Sequence, residues 1–218
     1  MLINAFIISF KVVVIAVIIS LILSIVGAYI LIEKKIKLKH IIETIILFPM
    51  FLPPSAIGYL ILISLGKRGF IGEFLLNNFN ITIIFTWIAA VVSGVVVSMP
   101  IMYQSIKAQL IGINEDIKNA AKEMGARDRV VFRKISLPLC KKGIFTGIIL
   151  SIARVFGEFG ATILVAGNIP GKTQTVPMAM YYAIENNDDR TSKIILIAIV
   201  IISVTLTFLY NKILKRIA

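Results

Sequence analysis

The sequence contains one cysteine, one histidine and one tryptophan in 218 residues, and only 11 acidic side chains against 23 Lys and Arg. Cys140 alone cannot form an internal disulfide, and His40 alone cannot build a histidine-based metal site or a catalytic triad. We therefore expect no catalytic residue, metal or cofactor in this chain. The shortage of acidic residues leaves a formal net charge of +12, which would suit a nucleic-acid partner unless membrane topology accounts for it.

Apolar residues dominate the composition: 58% of the chain is hydrophobic and the mean hydropathy is +0.96. A chain of this length and hydropathy is too apolar for a water-soluble domain and is expected to be an integral membrane protein. Five apolar stretches are long enough to cross a hydrocarbon core about 30 Å thick. They are residues 12–32, 44–66, 81–103, 143–167 and 194–210. The sequence predicts an all-α polytopic membrane protein, one domain over 1–218, with five crossings, or six if 168–193 holds a helix.

Two of these stretches carry residues that are unusual in a membrane helix. The second contains Pro49, Pro53 and Pro54, which break the helical hydrogen-bond ladder near its start. Lipid tolerates such a break only where neighbouring protein or water satisfies the freed carbonyls, so a packing kink and a pathway lining both remain open. The fourth contains five glycines and the pair Arg154 and Glu158, whose i, i+4 spacing lets the two charges neutralise each other. We expect this pair to be structural.

The distribution of Lys and Arg predicts the orientation in the membrane. Sixteen of them fall in segments 33–40 and 104–142 and in the carboxyl-terminal tail, which share one side, and five fall in 67–80 and 168–193. Because cytoplasmic loops are enriched in Lys and Arg, we expect the amino terminus outside and the carboxyl terminus in the cytoplasm. Topology then accounts for most of the positive charge, and no nucleic-acid partner is expected.

A polar and basic island from Asn114 to Pro138 separates the third and fourth apolar stretches. Its first half has the pattern of a capped helix, because Asn114 is a favourable N-cap and Gly125 suits the left-handed position that ends a helix. One face of this helix is apolar and mostly small, with Ile117, Ala120, Ala121 and Met124. Such a helix can insert into a groove on a partner, or alternatively rest on the membrane surface through its lysines.

The island also carries a spaced motif, AA-xxx-G-x9-I-x-LP, that resembles the EAA loop of the membrane subunits of ABC importers. Its residues here are Ala120, Ala121, Gly125, Ile135, Leu137 and Pro138, and Asn119 stands where that family usually has Glu. In the family this loop forms a coupling helix that docks into a cleft on a separate ATPase subunit. The resemblance implies the same role for the coupling loop, residues 104–142. The departure at Asn119 removes one negative charge.

Three further segments, 48–61, 66–73 and 156–181, resemble the molybdate permease branch of the ABC importers. The resemblance covers essentially the whole chain and implies the transmembrane domain of a type I ABC importer. It implies a homodimeric permease that receives molybdate or tungstate from an extracytoplasmic binding protein and is driven by two copies of a separate ATPase. Sulfate and thiosulfate permeases share the EAA loop and much of the FGEFGA segment, so a sulfate permease is the alternative.

Candidate residues of the substrate pathway lie near the expected helix breaks. They are Pro53, Pro54, Gly157, Glu158, Gly160 and Thr162. Glycine N–H groups and a threonine hydroxyl are donors that an oxyanion needs, although glycines also serve close helix packing. A membrane-embedded enzyme is disfavoured because only the pair Arg154 and Glu158 supplies polar chemistry at depth. A passive channel would have no use for a coupling helix.

Overall fold

The computed structural model describes residues 2–34 and 36–217, and this part of the chain is helical with short connections. In chain order the helices are α1 (Leu2–Ala28), α2 (Lys39–Leu47), α3 (Pro54–Leu65), α4 (Phe70–Phe79), α5 (Trp87–Ile111), α6 (Glu115–Glu123), α7 (Asp128–Val131), α8 (Leu137–Leu139), α9 (Lys141–Phe156), α10 (Gly160–Ala166), α11 (Val176–Glu185) and α12 (Asp189–Ile217). Two π-turns, Tyr29–Glu33 and Phe132–Ser136, continue α1 and α7, and a 3-10 turn, Phe48–Phe51, continues α2.

Three helices are long and apolar enough to cross a membrane, namely Leu2–Glu33, Trp87–Ile111 and Asp189–Ile213. Two bent pairs can each supply one more crossing: Lys39–Phe51 with Pro54–Leu65, bent by 118°, and Asp128–Leu139 with Lys141–Phe156, bent by 66°. The described residues therefore hold three to five candidate spans. The first bend falls at Leu52 and Pro53, where the prolines predicted a break. Segment 168–193 does hold a helix, α11, but its ten residues are too few for a sixth crossing.

Helices α1, α5 and α9 form the centre of the bundle, and small residues let their backbones approach closely. A Cβ atom on Gly94 would lie 3.0 Å from the Cβ of Ala16 and 2.9 Å from a methyl group of Val155, so α5 is held between α1 and α9. The hydroxyl groups of Ser20 and Ser98, 2.7 Å apart, join α1 to α5. Small residues and hydroxyl pairs are frequent contacts between membrane helices because lipid removes the hydrophobic driving force between them.

The segment 67–80, expected as a loop, contains helix α4 instead. This helix begins after Gly69 and ends at Asn80, which has a left-handed backbone with φ of 55° and donates its N–H to the carbonyls of Leu75 and Leu76. Its ten residues are too few to cross a membrane, so a search for long apolar runs does not reveal it.

Both ends of the third crossing lie later in the chain than expected. Helix α5 starts at Trp87 and not at residue 81, because Phe85 has a left-handed φ of 62° that a helix cannot include. The Phe85 N–H donates to the Val165 carbonyl at 2.8 Å and ties this segment to the end of α10. At its other end α5 continues to Ile111, so residues 104–111 of the expected coupling loop are helical.

Candidate functional site

Helix α6, in the middle of the coupling loop, has the two caps that the sequence predicted. The Asn114 side chain accepts the Asp116 N–H at 2.9 Å, and Glu115 adds a second acidic residue in the first turn. At the other end Gly125 has φ of +86°, and no atom lies within 4 Å of the position that its Cβ would occupy. Backbone conformation, not crowding, therefore requires glycine there.

The apolar face of α6 points away from the rest of the chain. Met124 is 90% exposed, Ile117 is 47% exposed, and Ala120 is also exposed. Lys118, which lies off this face, is only 3% exposed. An isolated amphipathic helix on a protein surface turns its apolar side inward, so this orientation is the reverse of the ordinary one. The exposed face can bury apolar surface only against something outside the described chain.

The remaining motif residues divide between the surface and the body of the loop. Asn119 and Pro138 are exposed, whereas Ala121, Ile135 and Leu137 are half-buried. Leu137 packs against the main hydrophobic core. The Ile-x-Leu-Pro half of the motif thus holds the loop against the bundle, while the Ala-Ala half presents α6 outward.

Lys118 lies between the carboxylates of Glu115 and Glu33, an arrangement that the sequence did not predict. Its Nζ is 3.0 Å from Oε1 of Glu115 and 3.2 Å from Oε1 of Glu33, at the end of α1. Ser136 donates its hydroxyl to the same Glu33 oxygen at 3.2 Å. The only sequence signal for Lys118 was its position off the apolar face of α6. No sequence signal pointed to Glu33, because the residues that it contacts lie far from it in the sequence.

A second missed carboxylate, Glu43 of α2, fixes that helix against α5. The Tyr103 hydroxyl donates to Oε1 of Glu43 at 2.7 Å, and Lys107 lies 2.9 Å from the same oxygen. Tyr103 is fully buried and Glu43 is 8% exposed. A buried carboxylate is tolerated here because it has both a hydroxyl donor and a positive charge beside it.

The fourth apolar stretch, expected as one crossing, is broken between α9 and α10. Glu158 lies in the break and is 3% exposed. Its Oε1 accepts the Ala161 N–H at 2.8 Å, and its Oε2 is 2.5 Å from Arg154. The carboxylate therefore caps the start of α10 while Arg154 compensates its charge. The expected pairing of these two residues is present.

The six pathway candidates fall into two groups within one chain. Pro53, Pro54 and Gly157 are exposed, whereas Glu158 and Thr162 are buried and Gly160 is half-buried. The break brings α10 onto α3, since a Cβ atom on Gly160 would lie 2.9 Å from the Cβ of Pro54.

Thr162 and Gly160 both have packing roles in the single chain. The Thr162 hydroxyl is 3.2 Å from that of Ser93 on α5, so it already has a polar partner. Gly160 is needed for the close approach of α10 to α3. Of the six candidates, only the two prolines and Gly157 are exposed on the surface of the chain.

The model of binding-protein-dependent transport system inner membrane components matches residues 20–218. The chain belongs to this family. It is therefore a multi-pass inner-membrane permease component, and it works with a binding protein and a separate ATPase. The all-α fold expected from the sequence is that of an ABC transporter membrane domain.

Relatives of this permease component include two proteins named molybdenum transport system permease protein ModB. The one from Escherichia coli K12 is 42% identical over 84% of this chain and 80% of its own length. That from Haemophilus influenzae is 40% identical over 86% of this chain and 82% of its own length. The sulfate transport system permease protein CysW of Synechococcus elongatus is more distant, at 34% identity over 70% of this chain and 53% of its own length.

Among solved structures, the fold is similar to a chain of a bacterial alginate ABC transporter in complex with its periplasmic protein. The TM-score is 0.77 at 14% identity, and the match covers 99% of this chain and 78% of that chain. At this identity the likeness shows the overall fold and no substrate.

Proposed function

We propose that this permease translocates molybdate, or its close analogue tungstate, inward, and that α6 is the coupling helix on which the ATPase acts. The substrate rests on the two ModB relatives at 40% identity or more, against 34% for the sulfate permease. The coupling role rests on one observation, the outward apolar face of α6 with Met124 90% exposed.

The residue types of this face suit a docking surface. The small side chains of Ala120 and Ala121 let a partner approach the backbone of α6 closely. The flexible, apolar side chain of Met124 can fill an irregular pocket on that partner. The side-chain cap at Asn114 and the left-handed Gly125 fix both ends of α6, so the helix can move as a rigid unit. Asn119, in place of the family's usual Glu, removes one negative charge from the helix.

Two copies of the chain form the pathway in this proposal. Only 6% of the membrane span of helix α12 is fully buried, so lipid or a second copy must cover its exposed side. Pro53, Pro54 and Gly157 are exposed at helix breaks, and a two-fold pair can enclose them between the copies. The amino terminus is outside, and the coupling loop lies at the basic, cytoplasmic end of the single domain.

Transport then proceeds by alternating access. ATP draws the two ATPase subunits together, the two α6 helices move with them, and the pathway opens outward to the binding protein. Hydrolysis and release of products reverse this movement and open the pathway inward. The permease itself supplies no chemical step.

Anion-stimulated ATP hydrolysis in proteoliposomes tests the substrate. The complex of this chain with its ATPase and its binding protein is supplied with molybdate, tungstate, sulfate or no anion. We expect molybdate or tungstate to stimulate hydrolysis and uptake, and sulfate to have no effect. Stimulation by sulfate alone would contradict the substrate while leaving the coupling role intact.

Replacement of Ala120 by Trp tests the docking face. We expect Ala120→Trp to reduce the amount of ATPase subunit that copurifies by about tenfold or more, because a bulky side chain keeps a close-packed partner at a distance. Asn77→Trp is the matched control, since Asn77 is exposed on α4, near the opposite end of α5. Equal copurification with both variants would refute the docking face.

A further inference from the structure

Both halves of the coupling loop converge on one carboxylate, that of Glu33 at the end of α1. We propose that Lys118, Ser136 and Glu33, together named the Glu33 junction, transmit the movement of α6 directly to α1 during transport. This inference rests on the proposed coupling role of α6 and adds the first contact through which its displacement enters the membrane helices.

Among the ion pairs that α6 forms in the described structure, the pair of Lys118 with Glu33 is the most buried. The side chain of Lys118 is 4% exposed and that of Glu33 is 10% exposed, whereas the other partner, Glu115, is 73% exposed. A second pair on the same helix, Lys122 with Asp128, is exposed at both ends, 44% and 62%. Exposed pairs contribute little, but a buried charge that loses its partner is strongly destabilising. Helix α6 therefore cannot easily part from Glu33.

Ser136 joins the second half of the loop to the same point. It is fully buried and donates to the Glu33 oxygen that Lys118 also contacts. Ser136 is the residue between Ile135 and Leu137 of the motif, so this contact lies within the segment that holds the loop to the bundle. Displacement of either half of the loop thus acts on one residue of α1.

The backbone at the junction is unusual on both sides. Glu33 closes one π-turn, Tyr29–Glu33, and Ser136 closes the other, Phe132–Ser136. The rings of Tyr29 and Phe132 pack with their centroids 4.8 Å apart, so the two π-turns face each other. π-turns are rare and concentrate at functional sites. Two π-turns in contact at the base of the coupling loop therefore indicate a contact that takes part in transport, rather than one that only holds the loop in place.

Helix α1 is well placed to carry the movement across the membrane. It runs through the centre of the bundle against α5 and α9. Near its other end the Ser9 hydroxyl accepts the Val176 N–H at 2.8 Å, at the start of α11. The distance from Ser9 to Glu33 is roughly 36 Å along a helix, about the full width of the hydrocarbon core. One rigid element therefore joins the coupling loop to a helix at the opposite end of the bundle.

The proposal is tested by the number of ATP molecules hydrolysed per anion taken up, a ratio that a purely structural contact would leave unchanged. Lys118→Met removes the charge but leaves the apolar face of α6 intact. Because Glu33 is then left uncompensated, we expect less of this complex to assemble; the complex that does assemble is expected to hydrolyse ATP, while uptake per ATP falls by about tenfold. Lys118→Arg keeps the ion pair and is expected to keep most of the coupling. Lys193→Met, in an exposed pair on α12, is the matched charge control and is expected to behave as the wild type.

The double variant Glu33→Gln with Lys118→Met separates lost transmission from misfolding, because it leaves no buried charge of this pair uncompensated. We expect it to assemble and still transport at about a tenth of the wild-type efficiency. Wild-type efficiency in the double variant would overturn the proposal. So would failure of the double variant to bind the ATPase subunit when Lys193→Met binds it. Absence of anion-dependent uptake in the wild-type complex would instead contradict the proposed function.

Discussion

Gly58 of α3 and Ala161 of α10 are in direct backbone contact. A Cβ atom on Gly58 would lie 2.8 Å from the Cα of Ala161 and 2.9 Å from its carbonyl oxygen. Neither atom belongs to a flexible side chain that could turn aside. The contact joins two half-helices, each too short to cross a membrane alone, and makes them one unit.

Gly58→Ala is therefore expected to destabilise the protein by about 1–3 kcal/mol, the usual cost of overpacking. Thermal unfolding in detergent measures the loss. Gly27→Ala on α1 is the matched control, because its added methyl would meet its nearest neighbour, the Tyr103 ring, at an ordinary 3.8 Å. If the two variants unfold at the same temperature, α3 and α10 are not packed as closely as the contact of Gly58 with Ala161 requires.

Replacement of Arg154 is expected to harm the protein more than removal of both charges of its pair. Arg154→Met leaves the buried Glu158 carboxylate uncompensated and is expected to cost about 3–5 kcal/mol. Arg154→Met with Glu158→Gln keeps an acceptor for the Ala161 N–H and leaves no charge behind. Expression level and unfolding temperature in detergent compare the two. A double variant less stable than Arg154→Met would show that the charges do not act as a pair.

The features predicted well from the sequence are those set by neighbouring residues. The N-cap of α6 needs only the Asn114 side chain and an N–H two residues later. Its C-terminal end needs only a residue that tolerates a left-handed backbone, which is Gly125. Both residue types can be recognised in the sequence. The proline-induced break before α3 is similarly local. Hydropathy was enough to predict an all-α membrane fold, because apolar runs of this length satisfy their backbone hydrogen bonds in lipid by forming helices.

The features that sequence reasoning missed depend on contacts between distant parts of the chain. Glu33 looked like the start of a basic loop, yet it contacts Lys118 and Ser136, which lie far from it in the sequence. Periodicity identified the apolar face of α6, but it left open whether this face docks on a partner or rests on the membrane surface. The break at Glu158 was missed because its glycine-rich stretch is as long as one crossing.

Tyr103→Phe tests the buried carboxylate that joins α2 to α5. The variant removes the hydroxyl that donates to Glu43 at 2.7 Å but leaves the ring and the Lys107 contact in place. Loss of a hydrogen bond to a charged acceptor is expected to cost about 1.5–3 kcal/mol. Tyr59→Phe is the control, since Tyr59 is 60% exposed on α3. Equal unfolding temperatures for the two variants would mean that Lys107 alone satisfies Glu43.

Asp188, just before α12, gives the start of that helix a dependence on pH. Hydrogen bonds from Thr191, first from its side chain and then from its backbone N–H, lower the pKa of Asp188 below its ordinary value of about 3.9. The folded state thus binds this proton more weakly than the unfolded state. The stabilising effect is fully present above about pH 4 and is lost as the pH falls through the lowered value.

Hydrogen exchange of the amides at the start of α12, corrected for the intrinsic effect of pH, measures this at about pH 6 and about pH 3. We expect the wild type to lose protection at the lower pH, because a protonated Asp188 is a weaker acceptor for the Thr191 N–H. Asp188→Asn keeps an oxygen acceptor without a titrating group, so its protection is expected to change less with pH. Equal losses in the wild type and in Asp188→Asn would assign the pH dependence to another group near α12.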